Sequence, residues 1–157
     1  MNWDEYFIEV ADTIRRKSKD PSTKVGAVLI GPERQIISTG FNGFPRGISE
    51  IAAERWERPA KYGYVEHAER NTIYNAARHG IAIRGSTLYL VGMGPPTLPC
   101  IECTKAIIQS GVVRVVGAGF KPLTTGPNVP DWAADLEFSA SLLREAGVDF
   151  EEVAYGG

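Results

Sequence analysis

Apolar side chains near the start of the chain recur every three or four residues, which is the spacing of one face of a helix. The pattern predicts an amphipathic helix over about the first seventeen residues, and its apolar face consists of Trp3, Tyr6, Phe7, Val10, Ala11 and Ile14. This stripe is more typical of a core face than of a ligand site. The basic run at residues 15–19 would be favourable at the C-terminus of the helix, and a phosphate-binding role is equally compatible with it.

Two β-rich runs follow at residues 25–30 and 35–39, separated by the turn-forming residues 31–34. They predict an antiparallel hairpin. Residues 40–47 are predicted to form a loop. Residues 48–64 mix aromatic and charged side chains, which is compatible with a lid or a subunit contact and equally with ordinary packing of the aromatics.

The second half of the chain alternates between helical and strand patterns. Helices are predicted at residues 67–79, 100–110 and 131–146, each followed by a glycine, and strands at residues 87–91, 112–118 and 148–153. A hairpin followed by β-α-β-α-β connections predicts an α/β protein, a three-layer α/β/α sandwich with a five-stranded mixed sheet. The last three strands should be parallel, because each is joined to the next by a right-handed helical crossover.

Composition and charge limit the class of protein. A chain of 157 residues is expected to form a single domain, residues 1–157. With 17 basic and 19 acidic residues the net charge is −2, so no global positive field would hold a long nucleic acid. The absence of a signal peptide and of long apolar runs predicts a cytoplasmic protein without a membrane segment. The expected partner is therefore a small-molecule substrate.

Two short motifs carry the candidate chemistry, His67-Ala68-Glu69 and Pro99-Cys100-Ile101-Glu102-Cys103. A catalytic zinc site uses three protein ligands and leaves the fourth position for water, whereas a structural site uses four. The chain has only two cysteines, and its other histidine, His79, is too far along a helix to share the metal. We therefore expect a Zn²⁺ cofactor bound by His67, Cys100 and Cys103, with Glu69 free to move protons.

The spacing within each motif indicates where the motif lies in the fold. His67 and Glu69 would point away from each other in the middle of a helix, so they can serve one site only from its first turn. Cys100 and Cys103 follow a proline and are three residues apart, which favours the start of a second helix. The positive ends of two helices would then face the metal and favour thiolates.

Three other interpretations fit parts of this pattern. The histidine and cysteines could be ordinary buried residues, but H-x-E followed by P-C-x-x-C is the pattern of zinc deaminases. Zinc could instead have a purely structural role in a nucleic-acid binding module. The acidic balance of charges and the missing fourth ligand argue against this interpretation. An inactive regulatory homologue would usually lack Glu69.

With these motifs the chain resembles the zinc-dependent cytidine and deoxycytidylate deaminase superfamily. Residues 18–28, 40–45 and 67–71 are most similar to its deoxycytidylate (dCMP) deaminase branch. The resemblance implies the same α/β/α fold, a homo-oligomer, and hydrolytic deamination of dCMP to dUMP and ammonia. The loop at residues 92–99 and the region after residue 118 differ from this branch, so a nucleoside or a free base is the alternative substrate.

The resemblance also assigns roles to individual residues. It implies that Glu69 carries protons, that the Ala68 amide holds the pyrimidine edge and that Asn42 contacts the sugar. Without the resemblance, Asn42 would equally be a turn residue beside a glycine. The cations that flank the substrate loop are candidates for binding the phosphate: Lys19, Lys24 and Arg46.

Overall fold

The computed structural model describes residues 1–156. In chain order its elements are α1 (Trp3–Arg15), β1 (Gly26–Ile30), β2 (Ile36–Phe41), a 3₁₀ helix (Ala53–Trp56), α2 (Lys61–Tyr64), α3 (Ala68–Arg78), β3 (Thr87–Met93), α4 (Ile101–Ser110), β4 (Arg114–Lys121), α5 (Trp132–Ala146) and β5 (Asp149–Glu152). Every helix and strand predicted from the sequence is present, with changed boundaries. Among these residues, no helix combines the length and the apolar character needed to cross a membrane.

The strands form one five-stranded sheet in the order β2-β1-β3-β4-β5. β1 pairs antiparallel with both β2 and β3, whereas β3, β4 and β5 pair in parallel. The predicted hairpin, the mixed sheet and the parallel direction of the last three strands are therefore confirmed.

Helices cover both faces of the sheet, which confirms the α/β/α layers. On one face Phe7, Ile8 and Ala11 of α1 pack in a cluster with Val28 and Val116 of the sheet. On the other face α3, α4 and α5 contribute to a second cluster, whose buried members are Ala27, Leu29, Ala68, Leu88, Leu90, Ile107, Val112, Val115, Leu143 and Val148. Successive residues of β1 alternate between the two clusters, as the pleat of a strand requires. The middle of the sheet is thus buried on both sides.

Glycines inside strands explain part of the boundary errors. β2 continues through Gly40 to Phe41, and β3 continues through Gly92 to Met93, although the sequence predicted ends at residues 39 and 91. A Cβ atom on Gly40 would lie 2.6 Å from the backbone nitrogen of Thr72 in α3. The strand can pass this close to the helix only because Gly40 has no side chain. These glycines allow close packing where the sequence suggested a loop.

The helices that carry the two motifs begin one residue later than predicted. His67 is the N-cap residue of α3, and Cys100 is the N-cap residue of α4. Helix α1 ends at Arg15 rather than near residue 17. The amides of Lys17 and Ser18 bond to carbonyls three residues before them, so the chain tightens and leaves the helix there.

Candidate active site

The predicted metal ligands come together where α3 and α4 begin. Nδ1 of His67 lies 3.3 Å from Sγ of Cys100 and 3.5 Å from Sγ of Cys103. The three donor atoms lie within 4.8 Å of one another, and no fourth His, Cys, Asp or Glu from residues 1–156 belongs to the group. The first-turn arrangement predicted for both motifs is therefore present.

This donor set fits Zn²⁺. Tetrahedral bonds of about 2.0 Å to nitrogen and about 2.3 Å to sulfur would separate these ligand atoms by roughly 3.5 Å, close to the N–S distances of the site. An imidazole and two thiols are also the donor types that zinc prefers. Three protein donors leave one tetrahedral position for a non-protein ligand, as in catalytic zinc sites.

The surroundings of Cys100 favour a metal-binding thiolate. The hydrogen bond from Cys103 is the main reason that the pKa of Cys100 is lowered to about 4, and His67 contributes further. Burial alone would lower the pKa of His67, but the neighbouring Cys100 raises that pKa to about 9. The bond to Cys100, together with burial, raises the pKa of Cys103. Because the thiolate is the form that binds metal, Cys100 is already poised to be a ligand.

Glu69 lies in the first turn of α3 and lines the same cavity as His67 and Cys100. The residue is only 5% exposed, and burial raises the pKa of its carboxyl. A raised pKa suits a group that must both accept and release a proton near neutral pH. Ala68 also lines the cavity, and its amide has no acceptor within the helix because it lies in the first turn.

Helix α5 supports the cysteine helix without supplying a ligand. The Asp135 carboxylate accepts a hydrogen bond of 3.0 Å from the Ile101 amide and so caps the start of α4. The buried hydroxyl of Ser139 donates to the Pro99 carbonyl at 2.6 Å and contacts the hydroxyl of Thr104. These contacts fix the backbone on both sides of the first cysteine ligand. Sequence reasoning missed them, because polar residues on a late helix gave no sign of their partners.

The loop between β3 and α4 packs directly on β4. A Cβ atom on Gly117 would lie 2.1 Å from the carbonyl oxygen of Thr97, and one on Gly119 would lie 2.2 Å from the Thr97 hydroxyl. The two glycines therefore let the loop approach the strand backbone. As a result, Thr97 and Leu98 form part of the cavity wall beside the metal ligands.

Asn42 also lies in the cavity wall and is only 5% exposed. Its Nδ2 donates to Oδ2 of Asp20 at 3.2 Å and to the Thr23 carbonyl at 2.8 Å. Its Oδ1 accepts from the Val25 amide at 2.8 Å. One lone pair of Oδ1 is thus the remaining hydrogen-bonding capacity that Asn42 can offer to a ligand.

The three cations suggested by the sequence for phosphate binding lie outside this cavity wall. Nζ of Lys19 lies 3.7 Å from the Glu50 carboxylate on an exposed part of the surface. Arg46 donates to the Asn75 side chain at 2.7 Å. Lys24 lines a neighbouring cavity.

Two other cations, Arg58 and Lys61, do line the cavity, and both come from the aromatic and charged segment before α3. The aromatic rings of Tyr62 and Trp132 also line this side of the cavity. The Trp132 ring centre lies 6.4 Å from the ring centres of both Tyr62 and His67. The sequence marked this segment as a lid or a contact surface but gave no indication that its cations belong to the site.

The fold and the donor set together define a zinc-binding domain of the deaminase type. The sequence model of the cytidine and deoxycytidylate deaminase zinc-binding region matches residues 1–118, and the chain belongs to this family. The matched region contains all three candidate ligands and Glu69. The resemblance and the zinc cofactor predicted from the sequence are therefore confirmed.

Individual relatives agree with this family. The chain is 38% identical over 122 residues to the deoxycytidylate deaminase of Mus musculus, covering 74% of this chain and 64% of that protein. The chain thus spans somewhat less than two thirds of the length of this curated relative. It is 31% identical to the deoxycytidylate deaminase of Enterobacteria phage T4, covering 90% of this chain and 85% of that protein. The crystal structure of dCMP deaminase from cyanophage S-TIM5 in its apo form superposes with a TM-score of 0.70 at 25% identity, covering 96% of both chains.

Proposed function

We propose that this protein is a zinc-dependent hydrolase that converts dCMP to dUMP and ammonia. The observation that carries the proposal is Glu69, a buried carboxylate that lines the cavity of the metal ligands without belonging to the ligand group. A purely structural zinc site has no need of such a group, and burying a carboxylate is costly. Membership of the family and similarity to proteins named deoxycytidylate deaminase support a cytosine nucleotide as the substrate.

In this proposal His67, Cys100 and Cys103 would hold Zn²⁺, and the bound metal would supply Lewis acidity that lowers the pKa of water towards 7. Glu69 accepts the proton of the attacking water and delivers it to N3 of the cytosine ring. As the water oxygen bonds to C4, that carbon gains a hydroxyl, and Glu69 would then take the hydroxyl proton and pass it to the amine while the C4–N bond breaks and ammonia leaves. One carboxylate can act in both steps because it is regenerated between them, and its raised pKa favours both transfers.

Asn42 and Ala68 would orient the substrate. Oδ1 of Asn42 can accept one hydrogen bond from a sugar hydroxyl, but its NH₂ group has no hydrogen left to donate. The Ala68 amide is available to an acceptor on the pyrimidine edge. Asn42 would therefore recognise the sugar as an acceptor only.

The test is ammonia release by the zinc-loaded protein from a panel of dCMP, deoxycytidine, cytidine, cytosine, adenine and guanine compounds. We expect the highest kcat/KM with dCMP. A nucleoside or a free base is the alternative, because the loop at residues 92–99 forms part of the cavity wall and differs from the dCMP deaminase branch. Activity only on those compounds would overturn the proposed substrate, and no release from any compound would overturn the enzyme.

The proposal includes a homo-oligomer located in the cytoplasm. The segment at residues 48–64 exposes apolar side chains, with Ile51 93% and Ile48 44% accessible. Exposed apolar surface of this kind favours a contact with another copy of the chain. Sedimentation that detects only monomer at micromolar concentration would overturn the oligomer, and cell fractionation tests the location.

A further inference from the structure

Two cations of the catalytic cavity converge on one neutral hydroxyl. Nη2 of Arg58 lies 3.1 Å from Oγ of Ser22, and Nζ of Lys61 lies 3.3 Å from the same atom. A third cation, Lys121, donates to the backbone carbonyl of Ser22. We refer to Arg58, Lys61 and Lys121 as the cation cluster. The first two line the cavity that contains Glu69, and Lys121 lines the adjoining cavity.

Among residues 1–156, Asp20 provides the one carboxylate that forms an ion pair with the cation cluster. Oδ2 of Asp20 lies 2.7 Å from Nζ of Lys61, and within residues 1–156 neither Arg58 nor Lys121 forms an ion pair. The Asp20 carboxylate also accepts hydrogen bonds from two neighbouring amides and from the Asn42 side chain, so its oxygens are fully used. Three cations and one carboxylate leave the cluster with a net charge of +2 where the two cavities adjoin.

The three cations differ in burial, because Lys61 is buried, Arg58 is half-buried and Lys121 is exposed. The Lys61 side chain is only 6% exposed. Burial lowers the pKa of Lys61, and repulsion from Arg58 and Lys121 adds to this, although Asp20 opposes the change. Beside Arg58 and Lys61 an anion would be attracted more strongly than in bulk water, whereas the exposed Lys121 would act through solvent. The cluster therefore favours an anion that brings several oxygen acceptors.

We propose that the cation cluster binds the phosphomonoester group of the nucleotide substrate. This inference rests on the proposed function, because it assigns the phosphate of the molecule whose base is deaminated at Glu69. A phosphomonoester carries a charge of about −1.5 to −2 near pH 7, which balances the net charge of the cluster. Charge-assisted hydrogen bonds from Arg58 and the lysines would replace their present contacts with Ser22.

Selectivity for a nucleotide over a nucleoside follows from this site. A nucleoside has no group that can accept these charged hydrogen bonds. Removing one cation from the cluster should therefore lower kcat/KM for dCMP about ten- to a hundredfold, with a much smaller loss for deoxycytidine.

The experiment compares Arg58→Ala and Lys121→Ala with the wild-type, zinc-loaded protein. Lys61 is not substituted, because its loss would leave the buried Asp20 carboxylate unpaired. The control variants are Arg78→Ala and Lys17→Ala, which remove the same charges at exposed positions outside both cavities. Each variant is assayed for kcat/KM with dCMP and deoxycytidine, and calorimetry measures its binding of dUMP and deoxyuridine.

We expect the two cluster variants to lose dCMP turnover and dUMP binding selectively, and the controls to keep the wild-type ratios. Equal losses for the phosphorylated and unphosphorylated compounds would overturn the phosphate site, as would a selective loss in Arg46→Ala instead. If the wild-type protein deaminates none of the cytosine compounds, the proposed function fails. The binding comparison still decides on the cluster in that event, because it needs no turnover.

Discussion

The metal end of the cavity and the cation cluster are built in different ways. The metal end consists of two short motifs, each at the N-terminus of a helix. Residues that are close in sequence therefore lie together at the metal site. The cation cluster gathers Arg58, Lys61 and Lys121 around Ser22 from separate parts of the chain, and it spans this cavity and the adjoining one. Under the proposed function, the chemistry would depend on local spacing and recognition of the substrate on how distant segments pack, and we therefore refer to the cation cluster as the recognition end. The two ends should therefore fail separately when mutated.

The largest effect is expected at the metal end. The wild-type protein should bind one zinc per chain, because residues 1–156 offer a single group of ligands. The double variant Cys100→Ser Cys103→Ser should lose both the metal and all measurable turnover, since one imidazole cannot hold zinc tightly. Metal analysis after dialysis checks this, and full retention of zinc by the variant would contradict the site.

A smaller but still large effect is expected for Glu69→Gln. The amide has nearly the same shape but cannot accept the proton of water, so turnover should fall at least about a hundredfold. Zinc content and the unfolding transition should stay close to those of the wild type. Near-normal ammonia release would assign proton transfer to another group. This variant separates the chemistry from the metal, because Glu69 is not one of the ligands.

At the recognition end, Asp20→Ala should mainly reduce stability. It leaves the buried Lys61 ammonium unpaired, which typically costs about 3 to 5 kcal/mol of unfolding free energy. Zinc content per folded chain should be unchanged, because Asp20 takes no part in the ligand group. Urea unfolding together with metal analysis tests the separation, and loss of zinc from the folded variant would show that the two ends are coupled.

The same carboxylate predicts a dependence on pH. Burial alone would raise the pKa of Asp20, but the hydrogen bonds from Lys61 and from the Ser22 and Thr23 amides outweigh it and lower the pKa. The stabilisation is therefore complete above the unfolded pKa of about 3.9 and is lost as the pH falls through the lower folded value. Wild-type stability should decline below about pH 4 more steeply than that of Asp20→Asn. Parallel acid-unfolding curves would contradict this assignment.

The smallest effect is expected where α5 meets the metal end. Asp135→Ala removes the cap of α4 and should lower the unfolding free energy by about 0.5 to 2 kcal/mol. Zinc affinity should fall by about tenfold or more, because the cap orients the helix that carries two ligands. Asp149→Ala, an exposed acidic residue of β5, is the matched control. Equal zinc affinity in the two variants would show that the cap does not influence the metal.

The sequence was most informative where a function needs a fixed local spacing. The motifs at His67 and at Cys100 predicted the ligands, the helix starts and the free carboxylate, because few other arrangements use those residue types together. Alternating patterns of strands and helices predicted the sheet. Strand ends were less well predicted, because glycines such as Gly40 and Gly92 signal loops in a sequence but allow close packing in the fold.

The sequence did not single out the cation cluster. Lys19, Lys24 and Arg46 were chosen because they flank the substrate loop, yet the cations in the cavity wall are Arg58 and Lys61. Their side chains reach Ser22 across 36 and 39 residues of chain. Proximity in sequence carries no information about such contacts, because tertiary packing alone brings these side chains together.

The support that α5 gives to the cysteine helix has a consequence for the order of events during synthesis. Ribosomes release a chain from its N-terminus, so all three zinc ligands emerge before Asp135 and Ser139. Until α5 docks, the start of α4 lacks its cap and the Pro99 carbonyl lacks its main donor. Because metal binding and folding are coupled, a nascent chain that ends before α5 should capture zinc only weakly. High-affinity metal loading would then be a late step in the maturation of this protein, although every ligand is present early.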